Sequence, residues 1–500
     1  MPSQTDSEKI YNKLIRKIKR IKNIGNAEGL LRWDQQVMMP NAGTPARSQQ
    51  LSALSSIQHE LLTDEKIGKM LDEIDEEEIS KERRSAIREI KREFERAKRL
   101  PTELIEKISK ASSEAFSKWL KSKEENDFSI FAPNLEKLIE LKTKYAEYID
   151  PDVAPYQVLF EDYEPYLGLE IASDTLSKLR KELVPFIEKI KESEVKPDRS
   201  TFENNFSGEK QREFAQHVLD ILGFKWEYGR LDTAPHPFTS GTQYDVRVTT
   251  RFEDNLLDGL FSTIHEFGHA NYTLGLPKEK YGTPLGESRG FTFHESQSRL
   301  WENHIGRSRP FWEYILPELK KKFPSIDASI EDVYKTVNKV HEDNLIRVDA
   351  DELTYHMHII LRFEIENDLI ENNIEVKEIP SVWNDKMENY LGVRPENDSE
   401  GCLQDVHWSH GSFGYFPTYS LGSVLSAQIY NSAKNDIDRL EEKMRNGKFE
   451  SLKKWLTEKI HRYGKRYTTN ELIQKSIGEE FNPSHFIDYI KNKYSEIYEI

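Results

Sequence analysis

Residues 254–269 read Asp-Asn-Leu-Leu-Asp-Gly-Leu-Phe-Ser-Thr-Ile-His-Glu-Phe-Gly-His. Leu257, Leu260, Phe261 and Ile264 recur at three- and four-residue steps, which is one face of an α-helix, and Asp254 is placed to cap it. His265 and His269 lie four residues apart, roughly 40° around such a helix, so both imidazoles can be aimed at one ion. Glu266 leans to the same side and is suited to act as general base toward a metal-activated water. Read without its chemistry, the same pair is two histidines on a helix surface, so the neighbouring segments have to decide.

Upstream, between Gly241 and Phe252, Tyr244, Val246 and Val248 alternate with Asp245, Arg247 and Thr249, a period of two that predicts a strand. Downstream, Gly275, Gly282, Gly286, Gly290, Pro277 and Pro284 predict a loop over 274–290, and Phe291 to Glu302 reads as a second helix. A catalytic zinc takes three protein ligands and keeps a position open for water, so the third ligand is expected on that second helix. Glu295 and His294 both qualify, and spacing does not separate them.

Elsewhere the chain reads as helices. Ile10, Leu14, Ile18, Ile21 and Ile24 form a stripe beside the basic residues Lys13, Arg16, Lys17, Lys19 and Arg20, a solvated face on a core-packed helix. The period recurs in Ala86, Ile87, Ile90, Phe94 and Ala97, stopped by Pro101, and in Leu104, Ile108, Ala111, Ala115 and Trp119. Acidic residues from Asp72 to Glu78 precede a mixed basic run through Arg99, which reads as a charge-paired, exposed helix face. The polar stretch from Glu192 to Gly208 reads as a long surface connection, and no repeat is visible.

The 500 residues carry 71 Lys and Arg against 87 Asp and Glu, a net charge of −16, which argues against a general nucleic-acid binder. A hydrophobic content of 37% is enough for a core despite 32% charged residues. The single cysteine, Cys402, excludes an intramolecular disulfide framework and reads as a small buried hydrophobe. No stretch approaches the roughly 18 apolar residues of a membrane span. Met1 to Ser7 leads into a charged segment, so a cytoplasmic chain with no membrane partner is expected.

Three segments are candidates for handling substrate. Arg247, Thr249 and Arg251 share one strand face, where an edge strand could pair with a peptide and an arginine could fork onto a carboxylate, in competition with plain ion pairing. Arg347, in Ile346 to Glu352, either binds substrate or pairs with Asp349 or Asp351. Gly401 to Gly422 is dense in His407, Trp408, His410, Tyr415 and Tyr419 among glycines, neither a helix nor a strand pattern, and could offer phenol and imidazole donors to an oxyanion.

Taken together these segments resemble the carboxypeptidase Taq family of zinc metallopeptidases. The likeness rests on His236-Pro237-Phe238, Asp245 through Thr249, His265 to His269, His294 through Arg299, Ile346-Arg347 through Asp351, Gly401 through Trp408, and Gly414 through Tyr419. Leu31-Arg32-Trp33-Asp34, Met38-Met39-Pro40 and Asp162 through Pro165 extend it over nearly the whole chain. The resemblance implies a mainly α, neurolysin-like helical body with a deep cleft, a small β-sheet beside the zinc helix, and a saddle-like homodimer.

It implies one zinc per chain, replaceable by cobalt, on His265, His269 and Glu295, with Glu266 as base and proton shuttle. It places Arg347, and with less force Arg247, Arg251, His407 and Tyr415, on the substrate side, and Tyr419 and His236 near the reacting carbonyl. The activity implied is removal of the C-terminal residue from peptides with a free C-terminus, with broad specificity. One catalytic domain over 1–500 is expected: a helical part over about 1–190, the zinc-site part over about 210–425, and C-terminal helices over 426–500.

One departure stands out. Arg299, rather than an aspartate, lies four residues past Glu295, so the carboxylate that orients a histidine ligand must come from elsewhere. Two rivals remain at this level: an oligoendopeptidase with the same zinc helix, and a peptide-binding scaffold around a structural metal.

Overall fold

The computed structural model describes residues 5–203 and 206–500, and helices dominate it. The first helix, Asp6–Val37, is capped by Thr5, whose hydroxyl accepts from the Glu8 amide, and it buries Tyr11, Leu14, Ile18 and Ile21. Those side chains meet Ile87, Ile90 and Phe94 of the Lys81–Arg99 helix in a small apolar cluster that also takes in Leu285. Each fully buried leucine or isoleucine stabilises such a contact by roughly 1.5–3 kcal/mol relative to exposure.

Two larger cores hold the rest. One joins Leu257, Leu260, Phe261 and Ile264 to Trp301, Trp312 and Phe449. The other joins Ala115 and Trp119 to Ile359, Leu403, Trp408 and Tyr498. Their members alternate along the chain, so no single cut in sequence separates one core from the other. Cys402 is buried in the second core, where burial pushes its thiol up and leaves it inert.

The sheet has three strands in the order β1-β3-β2, with β1 Gly229–Thr233, β2 Thr239–Thr242 and β3 Asp245–Thr250. β1 runs parallel to β3 and β2 antiparallel, with Ser240 opposite Arg247. The single strand expected from Gly241 to Phe252 is therefore a hairpin. Gly241 takes φ +126°, and a Cβ there would sit 1.9 Å from the Asp245 carbonyl oxygen, so the chain reverses at Gln243 and Tyr244. β3 is the central strand, with both its edges already paired, and Arg251 lies beyond its end.

Other boundaries differ from expectation in small ways. Asn255 rather than Asp254 caps the motif helix Leu256–Gly275, its side chain accepting from the Leu257 amide at 3.0 Å. Apart from a short 3₁₀ helix at His407–His410, the Gly401 to Gly422 stretch is irregular as far as Phe416. Pro417, its φ preset for a first helical turn, starts a helix through Asp436 that carries Tyr419 and Gly422. The polar connection after Glu192 buries Phe202 against Trp312, and its residues 204 and 205, like 1–4, lie outside the described residues. Among the described residues no helix is long and apolar enough to cross a membrane.

Candidate active site

Two glycines set the distance between the helices that build the site. A Cβ on Gly268, inside the His265–His269 motif, would lie 2.5 Å from both the Gln297 carbonyl oxygen and the Ser298 Cα. Only a bare backbone lets Leu256–Gly275 come this close to the Phe291–Arg299 helix. Gly422 does the same from the Pro417–Asp436 helix, since its Cβ would lie 2.5 Å from the Cβ of Glu295.

The close approach brings one donor atom each from His265, His269 and Glu295 within 4.8 Å of one another. Glu295 Oε2 is 3.7 Å from His265 Nε2 and 3.5 Å from His269 Nε2. The far side of each ring is already engaged. His265 Nδ1 donates to Glu302 Oε2 at 2.8 Å and His269 Nδ1 to the His294 carbonyl at 3.0 Å, which leaves both Nε2 lone pairs facing Glu295. His294 stays behind the cluster, its Nδ1 2.6 Å from Nδ1 of His269. Two imidazoles and a carboxylate, with no fourth such side chain in the group among the described residues, suit a divalent metal ion that keeps a position open.

Glu302 reaches His265 because the second helix changes pitch. After Arg299 the chain runs as a π-helix over Leu300–Gly306, with the Arg307 amide bonded to the Glu302 carbonyl five residues back at 3.0 Å. Glu302 also accepts from Arg299 (3.1 Å) and Arg307 (3.1 Å). Burial works to raise its pKa, but Arg299, the bond from His265 and Arg307 together hold it well below the usual carboxylate range. Arg299 Nε donates to Glu295 Oε1 at 2.7 Å, holding one carboxylate oxygen while Oε2 faces the histidines. The arginine that departs from the expected aspartate thus orients Glu295, and Glu302 orients His265.

Glu266 is buried beside this cluster, with Thr239 of β2 donating to its Oε2 at 2.7 Å. Burial pushes its carboxyl up to about 7 against the opposing pull of His265 and Thr239, which makes it a group able both to take and to return a proton near neutrality. Burial and the neighbouring His294 and His265 keep His269 neutral, the state that ligates metals.

A second cluster adjoins the first. Arg347 clasps Asp405 through Nε (3.0 Å) and Nη2 (2.7 Å), and Arg362 donates to the same carboxylate at 2.7 Å. Two guanidinium groups on one carboxylate leave an excess positive charge in a buried place. Arg347 Nη1 meets the Tyr355 hydroxyl at 3.3 Å, and its guanidinium lies 5.4 Å from the Tyr419 ring. Arg299 lies over the other face of this connection, 4.6 Å from the Tyr355 ring. Tyr415 packs edge-on against Tyr419 (5.0 Å), Tyr163 (5.0 Å) and Phe291 (5.3 Å), and His407 stacks on it at 5.6 Å. Burial pulls His407 down to about 4, so it is neutral. Glu366 holds this aromatic loop in place by accepting from Trp408 Nε1 (2.8 Å) and the Gly414 amide (3.0 Å).

The profile of the carboxypeptidase Taq (M32) metallopeptidase family matches residues 13–494. The chain belongs to that family. It is 40% identical to thermostable carboxypeptidase 1 of Pyrococcus furiosus, over 96% of this chain and 97% of the relative. It is 36% identical to carboxypeptidase 1 of Bacillus subtilis, again over 96% and 97%. The crystal structure of the M32 carboxypeptidase of Deinococcus radiodurans superimposes with a TM-score of 0.95 at 34% identity, covering 98% of this chain and all of that one. The protein is accordingly a metal-dependent carboxypeptidase of mainly helical fold.

Within the M32 fold, the residues anticipated from sequence fall into two sets. His265, His269, Glu295 and Glu266 meet at one place, and Arg347, His407, Tyr415 and Tyr419 line the adjoining cluster. Arg247 and Arg251 do not join either. Arg247 forks onto Asp245 (3.1 and 2.9 Å) and lies 4.2 Å from the Trp33 ring, and Arg251 reaches only Glu253 at 3.7 Å. The strand that carries Arg247 is central, so the edge-strand role falls away for β3. Arg347 pairs with neither Asp349 nor Asp351, because Asp351 is taken up by the His341, Leu353 and Thr354 amides. His236 is exposed between β1 and β2, three residues before Thr239. Sequence reading missed Glu302, Thr239, Tyr355 and Asp405. Asp405 lies in the Gly401 to Trp408 segment and Glu302 ends the predicted second helix, but nothing local aims either.

Proposed function

We propose that the metal is zinc, one ion per chain with cobalt able to replace it, held by His265, His269 and Glu295. When bound, zinc supplies a Lewis acid that polarises the scissile carbonyl and lowers the pKa of water toward roughly 7. The observation that carries this reading is the engagement of both Nδ1 atoms from behind, which commits both Nε2 atoms to the side of Glu295 Oε2.

Glu266 takes the proton of the attacking water and returns it to the leaving amine, a task suited to a buried carboxylate titrating near neutrality. Tyr419 donates its hydroxyl to the tetrahedral oxyanion, and His236 stands near the reacting carbonyl. Arg347, held rigid by Asp405, forks onto the substrate's terminal carboxylate with His407 and Tyr415 beside it, and the charge left over from Arg362 favours that anion. Specificity for the departing residue is broad, the 500 residues act as one catalytic domain, and the enzyme works in the cytoplasm as a homodimer.

A peptide presented first as the free acid and then as the C-terminal amide tests this. The metal-loaded enzyme is expected to release single C-terminal residues from the acid and to leave the amide intact. Equal cleavage of the two, or internal cuts in both, would assign the site to an endopeptidase instead.

A further inference from the structure

The Lys81–Arg99 helix carries Arg84, Arg88, Arg92, Arg96 and Arg99 at helical spacing, one face of basic side chains. Sequence reading takes this as a solvent-facing, charge-paired stripe; in the fold Arg84, Arg88, Arg92 and Arg96 are part-buried, Arg99 is exposed, and Arg84, Arg88 and Arg96 are ion-paired. The face lines a cavity of about 590 Å³ closed on one side by Val158 and Glu161 of the Pro155–Tyr163 helix and by Tyr166. That volume lies in the roughly 300–1,000 Å³ range of small-molecule sites.

The arginines are not equally satisfied. Arg96 is paired with Asp162, and Arg88 with Glu89. Arg92 and Arg99 are held by backbone carbonyls, Arg92 on Glu161 at 2.5 Å and Arg99 on Ile149. Among the described residues, neither has a carboxylate within 4.0 Å. A guanidinium has five N–H donors, so a single carbonyl fixes each fork and leaves most of its donors for something else. Burial and the adjacent Arg96 pull Arg92 below the ordinary arginine value, against the opposing pull of Tyr166, Asp162 and Glu89.

Tyr166 supplies a second observation. It holds φ +70°, a strained conformation for a bulky residue, and its ring is faced by Arg88 (5.4 Å), Arg92 (5.8 Å) and Arg289 (5.2 Å). Strain of this kind persists only where the surrounding structure over-determines it. Planar guanidinium forks fit oxyanions, and phosphate above all. A chain of net charge −16 repels a long polyanion but not a small one seated among local arginines.

We propose that this cavity binds a small phosphate-type oxyanion, free or as the phosphate end of a nucleotide, through Arg92 and Arg99. The site lies on one side of the Pro155–Tyr163 helix, and the other side presents Tyr163 to Tyr415.

Calorimetry on the metal-loaded, full-length protein with orthophosphate, inorganic diphosphate and ADP, each against chloride at matched ionic strength, tests it. Diphosphate or ADP is expected to bind saturably, one per chain. The Kd should rise at least about tenfold in Arg92→Gln/Arg99→Gln and by less in Arg92→Lys, which keeps the charge but not the fork. An ADP affinity at least about tenfold above that of diphosphate would identify a nucleotide as the source, and equal affinities a free anion. Both variants should keep the wild-type melting temperature and peptide hydrolysis, so that a loss of binding is not a loss of fold. No saturable binding beyond the chloride control would overturn the proposal. So would an unchanged Kd in Arg92→Gln/Arg99→Gln, which would put the anion elsewhere, such as the metal site.

Discussion

Glu302 decides which nitrogen of His265 faces Glu295 and the proposed metal. Its Oε2 takes the Nδ1 proton, so the tautomer with a free Nε2 is the one the fold selects. Glu302→Gln would leave three cationic or N–H donors facing a neutral amide, and one of them would meet the amide nitrogen. We expect metal affinity to fall about 10–100-fold in competition with a chelator, with little change in fold. Affinity equal to wild type would mean that His265 is oriented by something else. At this scale the sequence displayed the histidines and the carboxylate ligand candidates, because a four-residue step on a helix is a local fact. It could not display Glu302 in this role, because the π-helical turn that aims it is a property of the packed chain. Arg347 makes the same point, since its partner Asp405 is 58 residues away while two nearer aspartates look equally suitable.

Elements were read well where one periodic stripe faced one core. Leu257, Leu260, Phe261 and Ile264 of the motif helix and Ala86, Ile87, Ile90 and Phe94 of the Lys81–Arg99 helix are buried as their spacing predicts, while Ala97 is part-buried. The hairpin was not read, because four residues of β2 with two threonines, a serine and a glycine carry no alternation, and only Gly241 hints at the reversal. The contact between the two site helices depends on Gly268, a residue the motif leaves unspecified. Gly268→Ala would drive a methyl group into the Gln297–Ser298 backbone, so the helices must separate by a few tenths of an ångström or more. We expect a destabilisation of about 1–3 kcal/mol and a weakened metal site, read as a lower melting temperature with a smaller shift on adding metal. A variant that melts and binds metal like wild type would show that the close approach is not what assembles the donors.

Over the whole molecule, the two large cores interleave along the chain, and the family match covers residues 13–494. The net charge of −16 describes the solvated surface, while Arg299, Arg307, Arg347 and Arg362 concentrate positive charge inside. Light scattering should return twice the mass of one chain, and a monomeric mass across the working concentration range would refute the homodimer.

In the proposed mechanism three side chains hold the metal and Glu266 moves the proton, and one paired measurement on Glu266→Gln addresses both. Metal content and peptide turnover are determined on the same preparation beside wild type. The proposed mechanism requires one metal per chain in both proteins and turnover reduced by at least about 100-fold in the variant. Undiminished turnover by a variant that retains its metal would contradict it.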